Sequence, residues 1–196
     1  MEPTKQQTHN ASWAFELDQL NNWAYWEKAF TDEECDQIIK IGTERLLTKA
    51  TAVGNDNVRE SDIAWLYSAD DMEWAYRRIT DIIMNLNERF FQFDLSGMNE
   101  GFQFTRYVAP TGRYEAHIDR ITGGLIRKLS FTLQLSDPAE YTGGDLILHT
   151  SGTPETMRRD RGYVAVFPSY LLHEVTPVTE GTRYSLVSWV TGKPFK

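Results

Sequence analysis

The sequence of 196 residues contains a single cysteine, Cys35. No intramolecular disulfide and no cysteine-ligated zinc site can form, and we expect Cys35 to pack as a small apolar residue in a reducing compartment. Positive charge is also scarce, since 28 acidic residues outnumber 20 basic ones and give a net charge of −8. An acidic surface repels phosphate backbones, so we expect no nucleic-acid partner.

Long apolar runs are missing as well. No stretch is long enough to span a bilayer, and the opening "MEPTKQQTHNAS" lacks the apolar core of a secretory signal. These absences predict a cytoplasmic protein with no membrane partner, and nothing in the sequence indicates an oligomeric state. Aromatic residues, in contrast, are plentiful, with six Trp, nine Tyr and ten Phe, which is typical of a well-packed globular protein.

Helical signals dominate the first hundred residues. Thr31 precedes "DEECDQIIKIG", and Glu34 follows three positions later, which predicts a capping box at a helix start. A second helix is predicted to begin at Ser68, because apolar residues then recur at helical spacing. Its apolar face comprises Met72, Tyr76, Ile79, Ile83, Leu86 and Phe90. The run "IAWLY" predicts a short strand between the two helices.

From Gly101 onward the hydrophobic period changes to two. Runs such as "FQFTRYV", "KLSFTLQLS" and "YVAVFPS" are rich in β-branched and aromatic residues and are separated by turn signals. We therefore expect a mainly β protein with N-terminal helices (α+β), built as an antiparallel sandwich or jelly roll with the helices packed on one sheet. The expected organisation is one domain, with residues 1–100 as helical support and 101–192 as the jelly-roll core.

Four polar positions in the strand-rich half need an explanation. In "YEAHIDR", a strand would point His117 and Asp119 the same way, although an exposed polar strand end explains this spacing equally well. His173 lies in an apolar run, where a backbone carbonyl could satisfy it. Arg183 opens the strand "RYSLVSW", where its charge requires an anion, for which a structural ion pair would suffice.

Taken together, these residues fit one chemistry. Two imidazoles and one carboxylate form the facial triad of non-haem Fe(II) oxygenases, which leaves coordination positions open. A 2-oxo acid would chelate the iron through its keto oxygen and C1 carboxylate. Its distal carboxylate would then need a fixed cation, and the guanidinium of Arg183 can bind a carboxylate bidentately.

The motifs around these residues resemble a known family, the 2-oxoglutarate- and Fe(II)-dependent oxygenases of the prolyl 4-hydroxylase type, and in particular the PKHD-type hydroxylases. The similar stretches are "RYVAPTGRYEAHIDR", "LSFTLQLSDPAEYTGGDLILHT" and "GYVAVFPSYLLHEVTPVTEGTRYSLVSWV". The resemblance covers roughly residues 102–190. It implies a distorted double-stranded β-helix with the metal between its two sheets and the N-terminal helices against one of them.

The resemblance also implies roles for individual residues. The implied iron ligands are His117, Asp119 and His173. Arg183 is the implied partner of the C5 carboxylate of 2-oxoglutarate. Tyr107 matches a tyrosine that contacts the cosubstrate, although it could simply pack. Gln134 takes the place of a tyrosine that hydrogen-bonds the same carboxylate in some relatives, and this substitution puts that contact in doubt.

The implied activity is hydroxylation of an unactivated C–H bond, with release of succinate and CO2. It would use Fe(II), 2-oxoglutarate and O2, with ascorbate as a candidate further requirement. A prolyl residue in a peptide or protein is the first candidate substrate, and a free amino acid or another small molecule is the alternative. Two segments could line the substrate groove or instead be core and solvated surface. The first segment carries Trp65 and Tyr67. The second surrounds the His-x-Asp motif and carries Arg113, Arg120, Arg127 and Lys128.

Two other readings stay open at this point. One is a non-catalytic jelly-roll module that binds a metal or a sugar, in which His149 would be a further ligand. The other is a cupin-like dioxygenase that needs no cosubstrate, although such sites usually use more than two histidines. Neither hypothesis gives Arg183 a role. A requirement for 2-oxoglutarate separates them from the oxygenase.

Overall fold

The computed structural model describes residues 21–45, 48–50, 58–119 and 124–194. Its helices are α1 (Asp32–Glu44) and α2 (Glu73–Leu86). Its strands are β1 (Ala24–Trp26), β2 (Thr48–Ala50), β3 (Arg59–Leu66), β4 (Leu95–Gly97), β5 (Phe102–Val108), β6 (Arg113–His117), β7 (Arg127–Gln134), β8 (Tyr141–Gly143), β9 (Leu146–His149), β10 (Glu155–Thr156), β11 (Val164–Pro168), β12 (Leu172–Val175) and β13 (Val178–Gly192). The described chain is thus mainly antiparallel β with few helices.

Helix α1 begins with the predicted capping box. The Thr31 side chain accepts a hydrogen bond from the backbone N–H of Glu34, and the Glu34 carboxylate accepts one from the backbone N–H of Thr31 at 2.9 Å. These two bonds satisfy N–H groups that would otherwise have no partner at the helix start. Cys35 and Ile38 are fully buried beneath this turn, and Cys35 is a free thiol, as predicted.

Helix α2 begins at Glu73, five residues later than predicted. Asp71 has a left-handed φ of 60°, and Asp70 also departs from helical angles, so the turn Ser68–Met72 is irregular. The carboxylate of Asp70 accepts a hydrogen bond from the backbone N–H of Tyr67, and such local bonds compete with helix formation. The predicted apolar face is otherwise present, with Ile79 among its buried residues.

The strands form one continuous antiparallel path in the order β1-β11-β7-β13-β5-β3-β6-β12-β9-β10. Strand β3 joins the two parts of this path. Its residues 62–66 pair with β5, and its first two residues, Arg59 and Glu60, pair with β6. The sheet therefore curls, so that β6, β12 and β9 lie apart from the larger part built on β5, β13 and β7.

Two apolar clusters fill the curled sheet. The first joins the helices to one face of the larger part and includes Ile38, Ile79, Phe104 and Leu129. The second lies inside the curl and includes Tyr107, Leu148, Phe167 and Val175. Alternation along β5 explains the division, because its phenylalanines point to the helices and Gln103, Thr105 and Tyr107 point inward.

The first hundred residues contain more strand than the sequence indicated. Strands β1 to β4 all lie there, and β3 starts at Arg59, four residues before the predicted "IAWLY". The polar first half of β3 shows no clear alternation of polar and apolar residues. It is extended because it pairs with β5 and β6. No helix among the described ranges is long and apolar enough to cross a membrane.

Candidate metal centre and its cavity

Three predicted ligands converge at one end of the curl. His117 ends β6 and His173 lies in β12, where the two are direct partners in the antiparallel register. The ring centroids are 4.2 Å apart. Nε2 of His117 lies 3.7 Å from Oδ1 of Asp119, and Nε2 of His173 lies 3.4 Å from Oδ2 of the same carboxylate. Ligand atoms from all three residues lie within 4.8 Å of one another.

Asp119 reaches this position from just beyond the strand. The expectation that it shares a strand with His117 is wrong, because β6 ends at His117. Asp119 is held instead by two serines, one at its backbone and one at its carboxylate. The Asp119 backbone N–H donates to the Ser169 carbonyl at 3.0 Å, and the Ser130 hydroxyl donates to Asp119 Oδ2 at 2.6 Å. Ser169 is the serine of the "FPS" motif that precedes the distal histidine.

Both histidines present the same ring nitrogen to the centre. Nδ1 of His117 lies 2.8 Å from the Glu115 carbonyl, and Nδ1 of His173 lies 2.8 Å from the Leu171 carbonyl. A carbonyl oxygen only accepts, so Nδ1 carries the proton in each neutral ring. Nε2 then keeps its lone pair and faces Asp119, which is the arrangement that metal-binding histidines adopt.

The protonation equilibria also suit a metal. Burial, followed by the neighbouring imidazole of His173, lowers the pKa of His117 to about 4, so its ring is neutral near pH 7. Burial raises the pKa of Asp119, but the two imidazoles and the Ser130 hydroxyl outweigh burial, and its pKa is lowered overall. A neutral imidazole and an ionised carboxylate are the forms that bind a cation.

The three ligands open onto a cavity of about 470 Å³. Its inner wall consists of inward-facing residues of β5, β13 and β7, including Gln103, Tyr107, Thr132 and Ser185. Apolar side chains, among them Phe167, close the side below the histidines. A cavity of this size accommodates a small dicarboxylic acid together with part of a second molecule.

Arg183 lies on the same wall and is only 1% exposed. Its Nη2 donates to Oε1 of Gln134 at 2.9 Å, and its guanidinium carbon lies 5.3 Å from the centre of the Tyr107 ring. Nε and Nη1 have no hydrogen-bond partner within the described chain. Tyr107 lines the cavity, whereas Gln134 does not and contacts the guanidinium from behind.

The two nitrogens of Arg183 that lack a partner among the described residues bear on whether the cavity suits a 2-oxo acid. A buried guanidinium without an anion is costly, so such a group is normally paired. Here a neutral amide fixes its orientation, and two donor nitrogens stay unused on the wall that the metal ligands share. This arrangement fits a carboxylate in the cavity. The His-Asp-His donor set likewise fits a non-haem iron with open coordination positions.

The "GGDL" motif contributes to this wall. Gly144 has a φ of +65°, and a Cβ atom added there would lie 2.9 Å from Cδ of Arg183. Glycine therefore meets two requirements at once, a left-handed backbone and a close approach to the arginine side chain.

Several cavity residues were not identified from the sequence. Ser185 and Trp189 follow Arg183 on the same face of β13, and the buried Ser185 Oγ has no hydrogen-bond partner among the described residues. Strand alternation counted from Arg183 could have found both. Arg59 also lines the cavity. No periodic signal marks it, because it lies at the irregular start of β3.

Among the possible groove residues, Trp65 lines the cavity, is 37% exposed and lies 6.2 Å from the Trp189 ring. Tyr67 is exposed and does not line it. Arg127 lines it as well, forms an ion pair with Glu100 and stacks on Trp189.

The remaining candidate positions that the structure describes lie away from the cavity wall. Arg113 pairs with Glu60 and Glu115. Lys128 is buried, and Arg120 lies outside the described residues. His149 lies 3.0 Å from Glu174 and is not among the converging ligands.

Comparisons with known proteins agree with this geometry. A family model described as the 2OG-Fe(II) oxygenase superfamily matches residues 102–191. A PKHD-type hydroxylase of Gluconacetobacter diazotrophicus is 38% identical over 165 residues, which are 79% of this chain and 70% of that protein. Other PKHD-type hydroxylases match over less of their length. The matched part is 53% of the protein from Nitrosomonas europaea and 35% of one from Prochlorococcus marinus, so the chain spans about half or less of these relatives.

Solved structures share the fold. A Pseudomonas putida prolyl-4-hydroxylase superposes with a TM-score of 0.71 at 20% identity, covering 88% of this chain and 94% of that one. A prolyl hydroxylase from Trichoplax adhaerens, in complex with a hypoxia inducible factor peptide fragment, gives 0.73 at 16% identity, covering 88% and 84%.

Proposed function

Because the chain belongs to the PKHD-type hydroxylases of the 2OG-Fe(II) oxygenase superfamily, we propose that it is an Fe(II)- and 2-oxoglutarate-dependent dioxygenase that hydroxylates an unactivated C–H bond. The proposed iron ligands are His117, Asp119 and His173. Arg183 binds the C5 carboxylate of 2-oxoglutarate. The observation that carries the proposal is the buried Arg183, which has two unpartnered donor nitrogens on the wall of the cavity that the triad shares.

The residues of this chain position the reactants and exclude water. The carbonyl partners of the two histidines fix both rings with Nε2 toward the centre. Ser130 holds the Asp119 carboxylate, and Gln134 holds the Arg183 guanidinium. Arg183 then presents Nε and Nη1 to the cosubstrate carboxylate as a bidentate donor. When bound, Fe(II) and 2-oxoglutarate supply the oxidation of the C–H bond by O2, with release of succinate and CO2.

Tyr107 and Gln134 take different parts in this proposal. The Tyr107 ring lies beside the guanidinium and lines the cavity, so it contacts the cosubstrate. Gln134 acts through Arg183, because its amide oxygen already accepts the Nη2 hydrogen bond and its side chain stays outside the cavity. The tyrosine contact that some relatives make from the Gln134 position is thus replaced by an indirect one.

We further propose that the curled sheet is a distorted double-stranded β-helix with the metal between its two parts. The chain would form one catalytic domain over 1–196, with residues 101–192 as the catalytic core. The strand order, in which β3 passes from the larger part to the smaller, supports this architecture. A role for ascorbate stays a prediction.

A prolyl residue in a peptide or protein is the first candidate substrate. It is supported by the shared fold with prolyl hydroxylases, one of which is in complex with a peptide fragment. The cavity also opens beside exposed aromatic surface at Trp65, which suits a molecule larger than the cosubstrate. A free amino acid or another small molecule is the alternative.

The test is the visible spectrum of the protein with Fe(II) and 2-oxoglutarate in the absence of O2. Chelation of a 2-oxo acid to triad-bound iron gives a weak metal-to-ligand charge-transfer band. We expect the band in the wild type and its loss in His173→Ala. In Arg183→Ala, we expect the half-saturating 2-oxoglutarate concentration to rise at least about tenfold, because a charge-assisted pair is removed.

Two controls make this test decisive. His149→Ala removes a histidine that lies outside the triad and should leave the band unchanged. Iron content measured in each variant separates loss of metal from loss of chelation. If the wild type binds iron and forms no band with 2-oxoglutarate, the dioxygenase proposal is wrong, and a non-catalytic metal- or sugar-binding module becomes the working hypothesis.

A further inference from the structure

Arg59 places a second guanidinium on the wall of the cavity, and its partners among the described residues are all neutral. Nε donates to Ser61 Oγ at 2.8 Å, and Nη2 donates to Gln103 Oε1 at 2.8 Å and to Thr105 Oγ1 at 3.4 Å. Nη1 donates to no described residue. Three neutral acceptors fix the direction of the side chain, but they leave its charge uncompensated.

An arginine without a carboxylate partner is unusual in this protein. Within the ranges that the structure describes, the arginines that make no ion pair are Arg59, Arg89 and Arg183. Arg89 is exposed at the protein surface and contacts the Phe90 ring. The other two line the same cavity. Because Arg183 is assigned to the cosubstrate, the half-buried Arg59 is the cavity-lining cation for which no anionic partner has been assigned.

The charges of the proposed complex lead to the same residue. Fe(II), Asp119 and 2-oxoglutarate together carry a net charge of minus one, and Arg183 balances that charge. Arg127 is balanced by Glu100. Among the described residues that line the cavity, Arg59 is then the one whose charge stays uncompensated in the filled site. A partly desolvated cation of this kind favours binding of an anion.

Arg59 is also close to the reacting centre. Its guanidinium carbon lies 4.7 Å from the centre of the Tyr114 ring, and that ring stacks on the His117 ring at a centroid distance of 3.5 Å. A group bound by Arg59 would therefore lie a few side-chain lengths from the metal ligands. A single small molecule or amino-acid residue can span that separation, with its C–H bond at the metal and its anion at the arginine.

We propose that Arg59 binds a carboxylate of the substrate, so that the enzyme acts on a carboxylate-bearing molecule. The carboxylate is either that of a free acid or that of an aspartate or glutamate beside the hydroxylated residue of a peptide. This inference rests on the proposed dioxygenase function, because it assigns Arg183 to 2-oxoglutarate. It adds a recognition element for the substrate, separate from the cosubstrate site.

The test uses trifluoroacetate as a minimal carboxylate and Mn(II) in place of Fe(II), with 2-oxoglutarate at saturation. Mn(II) enhances the relaxation of fluorine nuclei that bind close to it, so the measurement reports anions near the metal. We expect strong enhancement in the wild type and a decrease of about tenfold in R59Q, the loss expected when a charge-assisted contact is removed. R89Q is the matched control, because it removes an unpaired arginine outside the cavity, and it should behave as the wild type. R59M replaces R59Q if the latter does not fold.

A parallel titration of the Fe(II) charge-transfer band distinguishes the two proposals. If the wild type shows no band, the dioxygenase function itself fails. If R59Q keeps the band with half-saturation within about twofold of the wild type and loses the fluorine effect, Arg59 binds a substrate carboxylate. If R59Q needs far more 2-oxoglutarate, Arg59 binds the cosubstrate and the inference is overturned. It is overturned also if the fluorine effect is absent from the wild type or unchanged in R59Q.

Competition against trifluoroacetate then identifies the source of the carboxylate. One pair is N-acetylproline and its amide, and the other is acetyl-Asp-Pro-Gly-amide and its Asn counterpart. Stronger displacement by the first acid than by its amide indicates a free acid, and stronger displacement by the Asp peptide indicates an acidic peptide. If neither acid exceeds its neutral partner, recognition of a substrate carboxylate is refuted.

Discussion

Nη2 of Arg183 donates a 2.9 Å hydrogen bond to Oε1 of Gln134, and both side chains are almost completely buried. The amide fixes the guanidinium without neutralising it. Most buried arginines are held by carboxylates, which would compete with an incoming anion. A neutral partner leaves the charge available to a ligand, and this distinction leads to the first prediction.

Gln134→Glu should weaken binding of 2-oxoglutarate more than Gln134→Leu does. The introduced carboxylate would pair with Arg183 and compete with the C5 carboxylate, whereas leucine removes only the orienting bond. We expect half-saturation of the charge-transfer band to rise at least about tenfold in Gln134→Glu and less in Gln134→Leu. Equal effects of the two variants would show that Gln134 acts by shape alone.

Arg183→Met should stabilise the metal-free protein while impairing cosubstrate binding. The substitution removes a buried charge that has no anionic partner among the described residues, and it keeps most of the side-chain volume. We expect a net gain of about 1 kcal/mol, because relief of the uncompensated charge exceeds the cost of leaving the neutral Gln134 amide without its donor, and it should be seen as a rise of a few degrees in the thermal midpoint of the apo protein. Addition of Mn(II) and 2-oxoglutarate should raise the midpoint of the wild type more than that of the variant. A destabilised apo variant would mean that the guanidinium has a structural role.

Ser130→Ala should weaken metal binding without altering the ligands themselves. Its hydroxyl donates to Asp119 Oδ2 at 2.6 Å and orients the carboxylate toward the two histidines. Loss of such a partner typically reduces metal affinity about 10- to 100-fold, and we expect this range for Mn(II) in calorimetry. Ser188→Ala removes another buried serine hydroxyl, one that donates to a backbone carbonyl outside the cavity, and should leave the affinity unchanged.

Cys35 should be unreactive in the folded protein and should make stability depend on pH. The thiol is 0% exposed, and burial raises its pKa to about 11 from 9.0. Between these values the folded state holds a proton that the unfolded state loses, so stability falls as pH rises. Relative to Cys35→Ala, the wild type should lose about 2 kcal/mol of unfolding free energy from pH 9 to 11.

Denaturant titrations of both proteins at the two pH values provide that measurement. A thiol reagent at pH 8 gives an independent check. We expect no reaction until the protein is unfolded and then one equivalent, because the chain has one cysteine. Rapid labelling of the native protein would contradict the buried position.

Parts of the fold and site were predictable because local rules determine them. Strand β5 has the predicted bounds, since apolar and polar residues alternate over its first four positions and most of its residues are buried. The capping box at Thr31 depends on only two side chains and their spacing. The convergence of His117, Asp119 and His173 could be expected from residue chemistry, because few combinations of four histidines and the acidic residues suit one metal.

Other features depend on contacts between distant segments. The irregular turn before α2 follows from Asp70, which bonds to the Tyr67 N–H and also pairs with Arg45, a contact that no local pattern encodes. Asp119 lies beyond its strand because the Ser169 carbonyl binds its backbone N–H across 50 residues of chain. Arg59 gains its place in the cavity only through the pairing of β3 with two neighbouring strands.

Strand β3 contributes to the proposed substrate side of the cavity and not to the proposed metal and cosubstrate site. It supplies Arg59 and Trp65 to the cavity wall, whereas the proposed iron ligands and the cosubstrate arginine come from β6, the segment after it, β12 and β13. Under the two proposals, substitutions within its eight residues would alter which molecule is recognised and leave the oxidising centre intact. A change of substrate would then need changes in a single strand only, and the oxidation chemistry would stay the same.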